Sequence, residues 1–392
     1  MLALKLLFFI SLFIIFYSYV GYGIVIWILV KIKNLFGGKK KLPVNTFHPP
    51  VTLIIAAYNE ADFIEQKIAN SLQLDYPEDK LQLLFITDGS NDATPEIIKQ
   101  YPRIQLLHSN ERRGKVAAMH RAMDFVKTPY VVFSDANTLL NKESITNIVR
   151  HYQDPKVGGV AGEKKVIATG EKGAAGAGEG LYWKYESFLK QMDSDFYTVV
   201  GAAGELFSVK TALYENPGAT TLLDDFVISL RVCQKGYTVK YAADAFASET
   251  PSASIGDEQK RKVRISAGGF QSMLMLLPLL NFFKYPRLSF QYVSHRVLRW
   301  AVCPFLLPVI LILNIVLVAY NQGILYQVIL AGQILFYVAA FGGWILQKKN
   351  IKSKLLYVPY YFLFINVCLY LGLVRFIKGR QTVLWEKAAR AK

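Results

Sequence analysis

Two kinds of hydrophobic pattern divide the chain. Between Pro49 and Asp257 short apolar runs alternate with stretches of helical spacing, and on either side lie long runs without charge. Val51-Thr-Leu-Ile-Ile-Ala56 is continuous, apolar and rich in β-branched residues. It predicts a strand buried on both faces. Phe63, Ile64, Ile68 and Leu72 then fall at helical spacing over Ala61–Leu72. Leu81–Thr87 predicts a second strand, and Thr94–Gln100 a helix with Pro95 in its first turn. Ile104–Leu107 and Tyr130–Ser134 predict two further strands around a helical Lys115–Phe125. Alternation of this kind predicts an α/β domain with an open, mostly parallel sheet. In such sheets ligands bind beyond the C-terminal ends of the strands. Gly170–Gly180, rich in Gly and Ala, predicts a mobile loop.

The flanks read as membrane segments. Leu6 to Val30 carries no charge over 25 residues, which at ~1.5 Å per residue outspans a ~30 Å hydrocarbon core. It is too long for a signal-peptide core, so a retained helix is expected. Lys31, Lys33, Lys39, Lys40 and Lys41 follow it and place the next domain in the cytoplasm. Trp300–Gln347 is uncharged over 48 residues and predicts two spans with a turn at Asn321-Gln322-Gly323. Leu355–Val374, interrupted by Pro359, is a weaker third candidate. Lys348, Lys349, Lys352 and Lys354 precede it, and Arg375, Lys378 and Arg380 follow. A crossing segment cannot leave both basic sets in the cytoplasm. A re-entrant or broken segment is therefore expected, with the tail bearing Trp385, Lys387 and Arg390 cytoplasmic.

Ile265–Phe283 follows the basic cluster Lys260, Arg261, Lys262 and Arg264, and its short apolar run contains Pro278. It reads as an amphipathic interfacial helix, with a short buried helix as the alternative. The expected division is 1–48, an N-terminal transmembrane helix and basic linker; 49–264, a catalytic domain; 265–295, the interfacial segment; 296–378, C-terminal transmembrane helices; and 379–392, a basic tail.

Composition narrows the class. With 53% hydrophobic and 19% charged residues the chain is too apolar for disorder, and three cysteines do not make a disulfide scaffold. The net charge of +16 suggests an anionic partner. Its distribution does not: Pro49–Asp257 holds 21 basic and 27 acidic residues, 21 − 27 = −6, and the flanks hold the remaining 24 basic and 2 acidic, 24 − 2 = +22. The basicity belongs to the membrane borders, and no nucleic-acid partner is expected.

Polar residues cluster at three of the strand ends: Tyr58-Asn-Glu60, Asp88-Gly-Ser-Asn-Asp92 and Asp135-Ala-Asn137. Asp135 and Asn137 can share one hard cation with substrate phosphates, or form an Asx turn. Asp224-Asp225 can cap a helix over Phe226–Arg231, yet two carboxylates exceed what one cap needs, and one at a pocket lip can act as a general base. Asp88 can accept hydrogen bonds from a base or ribose. Arg112-Arg113-Gly114-Lys115 offers cations and flexible backbone to a diphosphate. Gly201-Ala-Ala-Gly204 lets a ligand approach the backbone. Each also has an ordinary structural reading as turn, surface loop or tight packing. A dinucleotide fingerprint, a P-loop, zinc spacing and a G-x-S-x-G elbow are all missing.

The order of Ala56-Ala-Tyr-Asn-Glu60, Asp88-Gly-Ser-Asn-Asp92, Gly114-Lys115, Ser134-Asp-Ala-Asn137, Gly201–Gly204 and Leu223-Asp-Asp225 resembles the membrane-bound branch of glycosyltransferase family 2. That group includes synthases of poly-N-acetylglucosamine, chitin oligomers, hyaluronan and cellulose. The resemblance covers residues 49–270 and implies a GT-A fold that binds a nucleotide-diphosphate sugar, with a UDP-sugar favoured. It implies that Ala56, Tyr58, Glu60, Asp88 and Ser90 line the nucleoside pocket with Lys115 near it. Asp135 would contact ribose and metal (Mg²⁺ or Mn²⁺), with Asn137 in the second carboxylate position of D-x-D. Asp225 would be the base, paired with Asp224. Arg261 and Arg264 would hold the diphosphate and Gly204 would face the acceptor; Trp183, Tyr182, Tyr185 and Phe188 would either face the acceptor or belong to the core.

Two positions depart from the family pattern. Asn137 is neutral, and the processive Q-x-x-R-W is replaced by Gln259-Lys-Arg-Lys-Val263. The expectation is thus a multi-pass enzyme of the cell membrane, with a cytoplasmic, metal-dependent, inverting domain that moves one sugar to a membrane-held or saccharide acceptor. Its rivals are a processive polysaccharide synthase and a non-catalytic membrane subunit.

Overall fold

The computed structural model describes residues 1–38, 46–166, 174–250, 254–349, 351 and 353–379. The lysines at 39–41, most of the basic tail and the first part of the glycine-rich loop lie outside the described residues. The chain opens with α1 (Leu2–Phe16), which passes through a π-helical turn (Tyr17–Gly21) into α2 (Tyr22–Gly37). The central domain follows in the order β1 (Val51–Ala57), α3 (Ile64–Leu72), β2 (Leu81–Asp88), α4 (Thr94–Lys99), β3 (Ile104–Ser109), α5 (Lys115–Met123) and β4 (Tyr130–Asp135). Next come β5 (Leu139–Leu140), α6 (Ser144–Val149), β6 (Val157–Val166), α7 (Ala174–Phe196), β7 (Leu206–Lys210), α8 (Asp224–Gln234) and β8 (Thr238–Glu249). The chain then runs through α9 (Ile255–Met275), α10 (Pro286–Tyr292), a π-helical stretch (Val293–Val302), α11 (Cys303–Ala319), α12 (Ile324–Lys348) and α13 (Lys354–Ile377).

The four early strands lie where their apolar runs predict them. All seven residues of β1 are buried. Leu53 and Ile55 enter one core and Ile54 and Ala56 the other, the period of two that a strand covered on both faces requires. The sheet has eight strands in the order β3-β2-β1-β4-β7-β6-β8-β5. Its first four are parallel, β7 runs antiparallel to both β4 and β6, and β6 is parallel to β8. The sheet is therefore mixed, with a parallel half that reverses strand order beside β1 and an antiparallel half that adds the opposite wall. The segment from Ala174, expected as loop, is the first turn of α7.

Among the described residues four helical segments are long and apolar enough to cross a membrane: Leu2–Gly37, Pro286–Ala319, Ile324–Lys348 and Leu355–Ile377. Phe8, Ile310, Leu313, Leu317 and Tyr326 join α1, α11 and α12 at one end. At the other end α2 leaves the bundle and packs Tyr22 and Ile26 against Leu189 of α7. Lys33 Nζ donates to the carbonyls of Asp195 and Phe196 at 2.7 and 2.9 Å, closing the C-terminus of α7. The expected helix from Ile265 begins ten residues earlier, at Ile255, and carries the basic cluster within it. Its face is covered by protein: a methyl on Gly268 would lie 2.8 Å from Leu223, and one on Gly269 2.8 Å from Trp300.

A buried charge cluster fastens these parts. Glu186 of α7 accepts from Arg299 Nη1 at 2.5 Å and Arg296 Nη1 at 3.2 Å. Burial alone would raise its pKa, but the two guanidinium groups hold it well below the ordinary carboxylate range. One turn or two further on, Asp193 accepts from Tyr22 Oη, from Gln291 Nε2 at 3.1 Å and from His295 Nδ1 at 2.6 Å. Removing one partner of a buried ion set costs about 3–5 kcal/mol, because the remaining charges stay desolvated. Glu186→Ala is expected to lose that much in reversible unfolding in detergent. Glu78→Ala, which breaks the exposed Arg103 pair at 2.9 Å, is expected to lose less than about 1 kcal/mol.

Candidate active site

The ends of β1 and β2 are stitched together first. Asn59 sits at φ 53° and exchanges side-chain bonds with Asn91: its Nδ2 donates to Oδ1 at 2.7 Å, and Asn91 N donates back at 3.0 Å. Ser90 Oγ accepts from Asn59 N at 3.2 Å, so Ser90 holds the turn. Asp88 Oδ2 accepts from the backbone N–H groups of Arg113 and Gly114 at 2.9 and 2.6 Å. Its Oδ1 is buried without a partner among the described residues. Burial raises the Asp88 pKa against those two hydrogen bonds. Gly89, at φ 70°, lets Arg112 pass: a Cβ there would lie 2.6 Å from the Arg112 Cβ. The Arg112 guanidinium then stacks 3.8 Å from the Tyr58 ring centre. Arg113 turns away and pairs with Glu111.

At the end of β4, Asp135 Oδ1 accepts from Lys115 Nζ at 2.5 Å. Burial would lower the Lys115 pKa, but Asp135 and Asp224 raise it above the ordinary range. Beneath this loop Lys67, fully buried on α3, donates to Ser134 Oγ and to the Thr138 carbonyl, both at 2.8 Å. Its desolvation, opposed by Asp135, lowers its pKa to about 7.

The opposite wall is α8, whose first turn carries Asp224 and Asp225. Gly201, at φ 89°, lies so close to α8 that a Cβ would sit 2.1 Å from the Phe226 ring. That approach brings Gly204 to the centre: a methyl there would be 3.5 Å from both Asp225 Oδ2 and Lys115 Nζ. Burial and the neighbouring Asp224 push the Asp225 pKa up to about 8, against the pull of Lys115. Burial raises Asp224 as well.

Between these walls lies a cleft of about 590 Å³. Ala56, Tyr58, Glu60, Lys115, Asp135, Asn137, Trp183, Gly204, Asp224, Asp225, Arg261 and Arg264 all face it, whereas Asp88 and Ser90 stand behind its lining. Arg261 is committed to carboxylates, Glu249 at 3.1 Å and Glu258 at 3.4 Å. Trp183 has the ammonium groups of Lys164, Lys262 and Lys190 at 5.5, 5.6 and 5.9 Å from its ring centre. Tyr185 donates to the Tyr19 carbonyl at 2.8 Å, at the membrane junction, Phe188 is exposed, and the side chain of Tyr182 lies outside the described ones.

Sequence reasoning missed Lys164, which bonds Glu205 at 2.5 Å and also pairs with Glu249. Lys164 holds Glu205 below the carboxylate range in spite of its burial. It missed Lys67, Glu186, Lys190, Arg296 and Arg375 too, the last four being cleft-lining residues. Glu205 directly follows Gly201–Gly204, and that adjacency was the one available signal.

Residues 52–216 match the family model described as glycosyl transferase family 2. The central domain is a glycosyltransferase family 2 domain. Among curated relatives it is 26% identical over 235 residues to a poly-beta-1,6-N-acetyl-D-glucosamine synthase of Staphylococcus aureus, and 23% identical over 234 residues to the synthase of that name from Staphylococcus epidermidis. Each match covers 57% of this chain and 55% of the relative, so the chain spans about half the length of the curated relatives it matches. A solved mannosyltransferase from Pyrobaculum calidifontis, in complex with GDP-Man and Mn²⁺, superposes with a TM-score of 0.69 over 96% of this chain and 100% of that one, at 21% identity. The family 2 domain therefore has the GT-A fold expected from its motifs.

A base must be ionised to act, so activity resting on Asp225 falls as pH drops through its pKa. The acid limb of kcat/KM is expected well above the ordinary carboxylate range, toward about 8. Asp224→Asn removes a neighbouring negative charge and should move that limb to lower pH. A limb that stays in place would assign it to another group.

Proposed function

We propose that this protein is a membrane-anchored inverting glycosyltransferase that moves a sugar from a nucleotide-diphosphate sugar to a membrane-held or saccharide acceptor. The observation that carries the reading is the meeting of Asp225 and Lys115 across Gly204, at the switch point of the parallel half-sheet. Inversion needs a base on the acceptor hydroxyl and cationic support for the departing diphosphate. Asp225, held largely desolvated, supplies the base. Lys115, whose charge three carboxylates stabilise, supplies a fixed cation.

The nucleoside end is built for a planar base. Tyr58, braced by Arg112, faces the cleft with an aromatic surface for a planar base, and Asp88 holds the Arg113–Gly114 turn behind it. A UDP-sugar is favoured by the resemblance of the motifs. Asp135 with Asn137 would hold Mg²⁺ or Mn²⁺. Among the described residues no three His, Cys, Asp or Glu side chains gather as a metal cage. One carboxylate and one amide oxygen suit an ion that shares its shell with substrate phosphates. When bound, the ion would offset charge on the diphosphate.

The domain is read as cytoplasmic, because nucleotide sugars are made there and Lys31 and Lys33 follow the first span. The names of the curated relatives favour polymer synthesis. The absence of a tryptophan at Val263 favours a single transfer, which we adopt.

The test is nucleotide release and product analysis with purified full-length protein, Mg²⁺ or Mn²⁺ and a panel of NDP-sugars. Asp225→Asn is expected to lower turnover by roughly 10²–10⁴-fold, the range of a lost general base. Equal turnover in both proteins would refute the base assignment, and long polymer would overturn single transfer.

A further inference from the structure

The cleft has two ends of different chemistry. The nucleoside end is formed by Ala56, Tyr58 and Glu60; the other by Ile265, Trp300, Ile365 and Leu369, with Arg264 and Arg375 among them. Arg375 comes from α13, far along the chain from every sheet residue. α13 lies beside α9 and runs in the same direction: Cys368 neighbours Glu258 and Lys262, and a methyl on Gly372 would be 2.4 Å from the Ser266 Cβ. Its middle sits where the N-terminal helix meets the catalytic domain. Tyr19 donates to Asn366 at 3.4 Å and stacks edge-on with Phe362 at 5.0 Å, while the Tyr19 carbonyl accepts from Tyr185 of α7.

This placement sets up an unfilled requirement. The Arg375 Nε is buried and has no hydrogen-bond partner among the described residues. A guanidinium keeps its charge at any ordinary pH, and a buried unpaired donor is costly. The neighbouring cations are otherwise engaged. Arg261 serves Glu249, and Arg296 serves Glu186 and the Val200 carbonyl. Arg264 acts on Asp224, whose charge it stabilises. An anion at Arg375 would share the cleft with the indole of Trp300 and the side chain of Leu369. A donor diphosphate does not match such walls, since it needs to lie beside Lys115 and Asp135. An anion that carries hydrocarbon does.

We propose that Arg375 is the binding site for the phosphate or pyrophosphate of a lipid-borne acceptor, with its hydrocarbon lying along the apolar cleft residues Trp300 and Leu369. The word acceptor rests on the glycosyl-transfer reading above; the anion site itself does not. Planar guanidinium groups suit phosphate oxygens through paired N–H donors, and such bonds strengthen away from water.

The experiment measures binding to the full-length protein in detergent by thermal shift and titration. Its probes are a polyprenyl phosphate, the matching polyprenol, inorganic pyrophosphate and phosphatidylglycerol. The polyprenyl phosphate is expected to bind about 10–100-fold tighter than the polyprenol, the worth of hydrogen bonds to a charged group. Arg375→Gln should erase that difference while UDP binding and the unfolding midpoint stay at their wild-type values. Arg375→Lys, which keeps the charge but loses the fork, should retain part of it. Equal binding of phosphate and alcohol, or unchanged discrimination in Arg375→Gln, would overturn the site. Phosphatidylglycerol binding as tight as polyprenyl phosphate would make it a plain headgroup contact, and pyrophosphate competing as well as the lipid would make it a free-anion site; either result refutes the proposal. Discrimination that persists in a protein turning over no NDP-sugar would sink glycosyl transfer and leave the lipid-phosphate site standing.

Discussion

The buried carboxylates of α7 constrain everything around them. Glu186 and Asp193 are 2% and 0% exposed, and charges so placed are tolerable only when fully paired. Their partners come from two separate parts of the chain. Arg296, Arg299, His295 and Gln291 arrive from α10 and the π-helical stretch, and Tyr22 from α2. Two wide helical turns meet at this point. Arg299 Nε donates to the Ser18 carbonyl at 3.1 Å, and Tyr17 bonds Ser294 at 2.9 Å, each contact joining the π-helical segment of one membrane helix to that of another. π-Helical insertions cost stability and tend to persist where function needs them. Here they align polar groups that an unbroken α-helix would leave facing hydrocarbon.

The catalytic geometry inherits this constraint. Glu186 and Arg296 belong both to the junction and to the cleft wall. The raised Asp225 pKa depends on burial, and residues of α9 and of the C-terminal helices, Trp300, Leu369 and Arg375, line the same cleft. The strand ends fix the nucleoside side locally, through the Asn59–Asn91 and Asp88–Gly114 bonds. The reactive side needs pieces separated by more than a hundred residues. A glycosyl-transfer site of this design is not complete until the membrane helices have docked.

This difference in range explains what the sequence made legible. β1 to β4 were readable because their apolar runs are short, continuous and bounded by turns; Asp88 and Asp135 were readable because each ends such a strand, and Asp225 because it opens a helix beside a second carboxylate. β6 and β8 were not. β6 contains Gly158, Gly159, Gly162 and the polar run Glu163-Lys-Lys165, and β8 contains Lys240 and Asp244, so neither shows a clean apolar period. Their polarity is functional: Lys164 and Glu249 pair under the cleft, where a strand pattern alone gives no hint of a partner. The extent of α9 escaped for a related reason. Lys260, Arg261, Lys262 and Arg264 read together as a membrane border, with only Arg261 and Arg264 also expected at a diphosphate, yet all four face the cleft. Periodicity reports burial against the core and is silent about a polar face turned into a cavity.

The charge partition acquires a different meaning from this arrangement. An acidic domain of net −6 must still stabilise a diphosphate, and its own cations beside the cleft are largely paired, Lys115 with Asp135 and Lys164 with Glu205 and Glu249. The basic flanks were expected to serve lipid, and their exposed lysines can do so. Arg264, Arg296, Arg299 and Arg375 instead point inward, to Asp224, Glu186 and the apolar end of the cleft. A domain that borrows its positive charge from its membrane segments holds a low-dielectric site without carrying an excess of buried cations of its own. The same borrowing ties the chemistry to the bilayer, because the residues that neutralise the cleft are the ones that place it at the membrane surface.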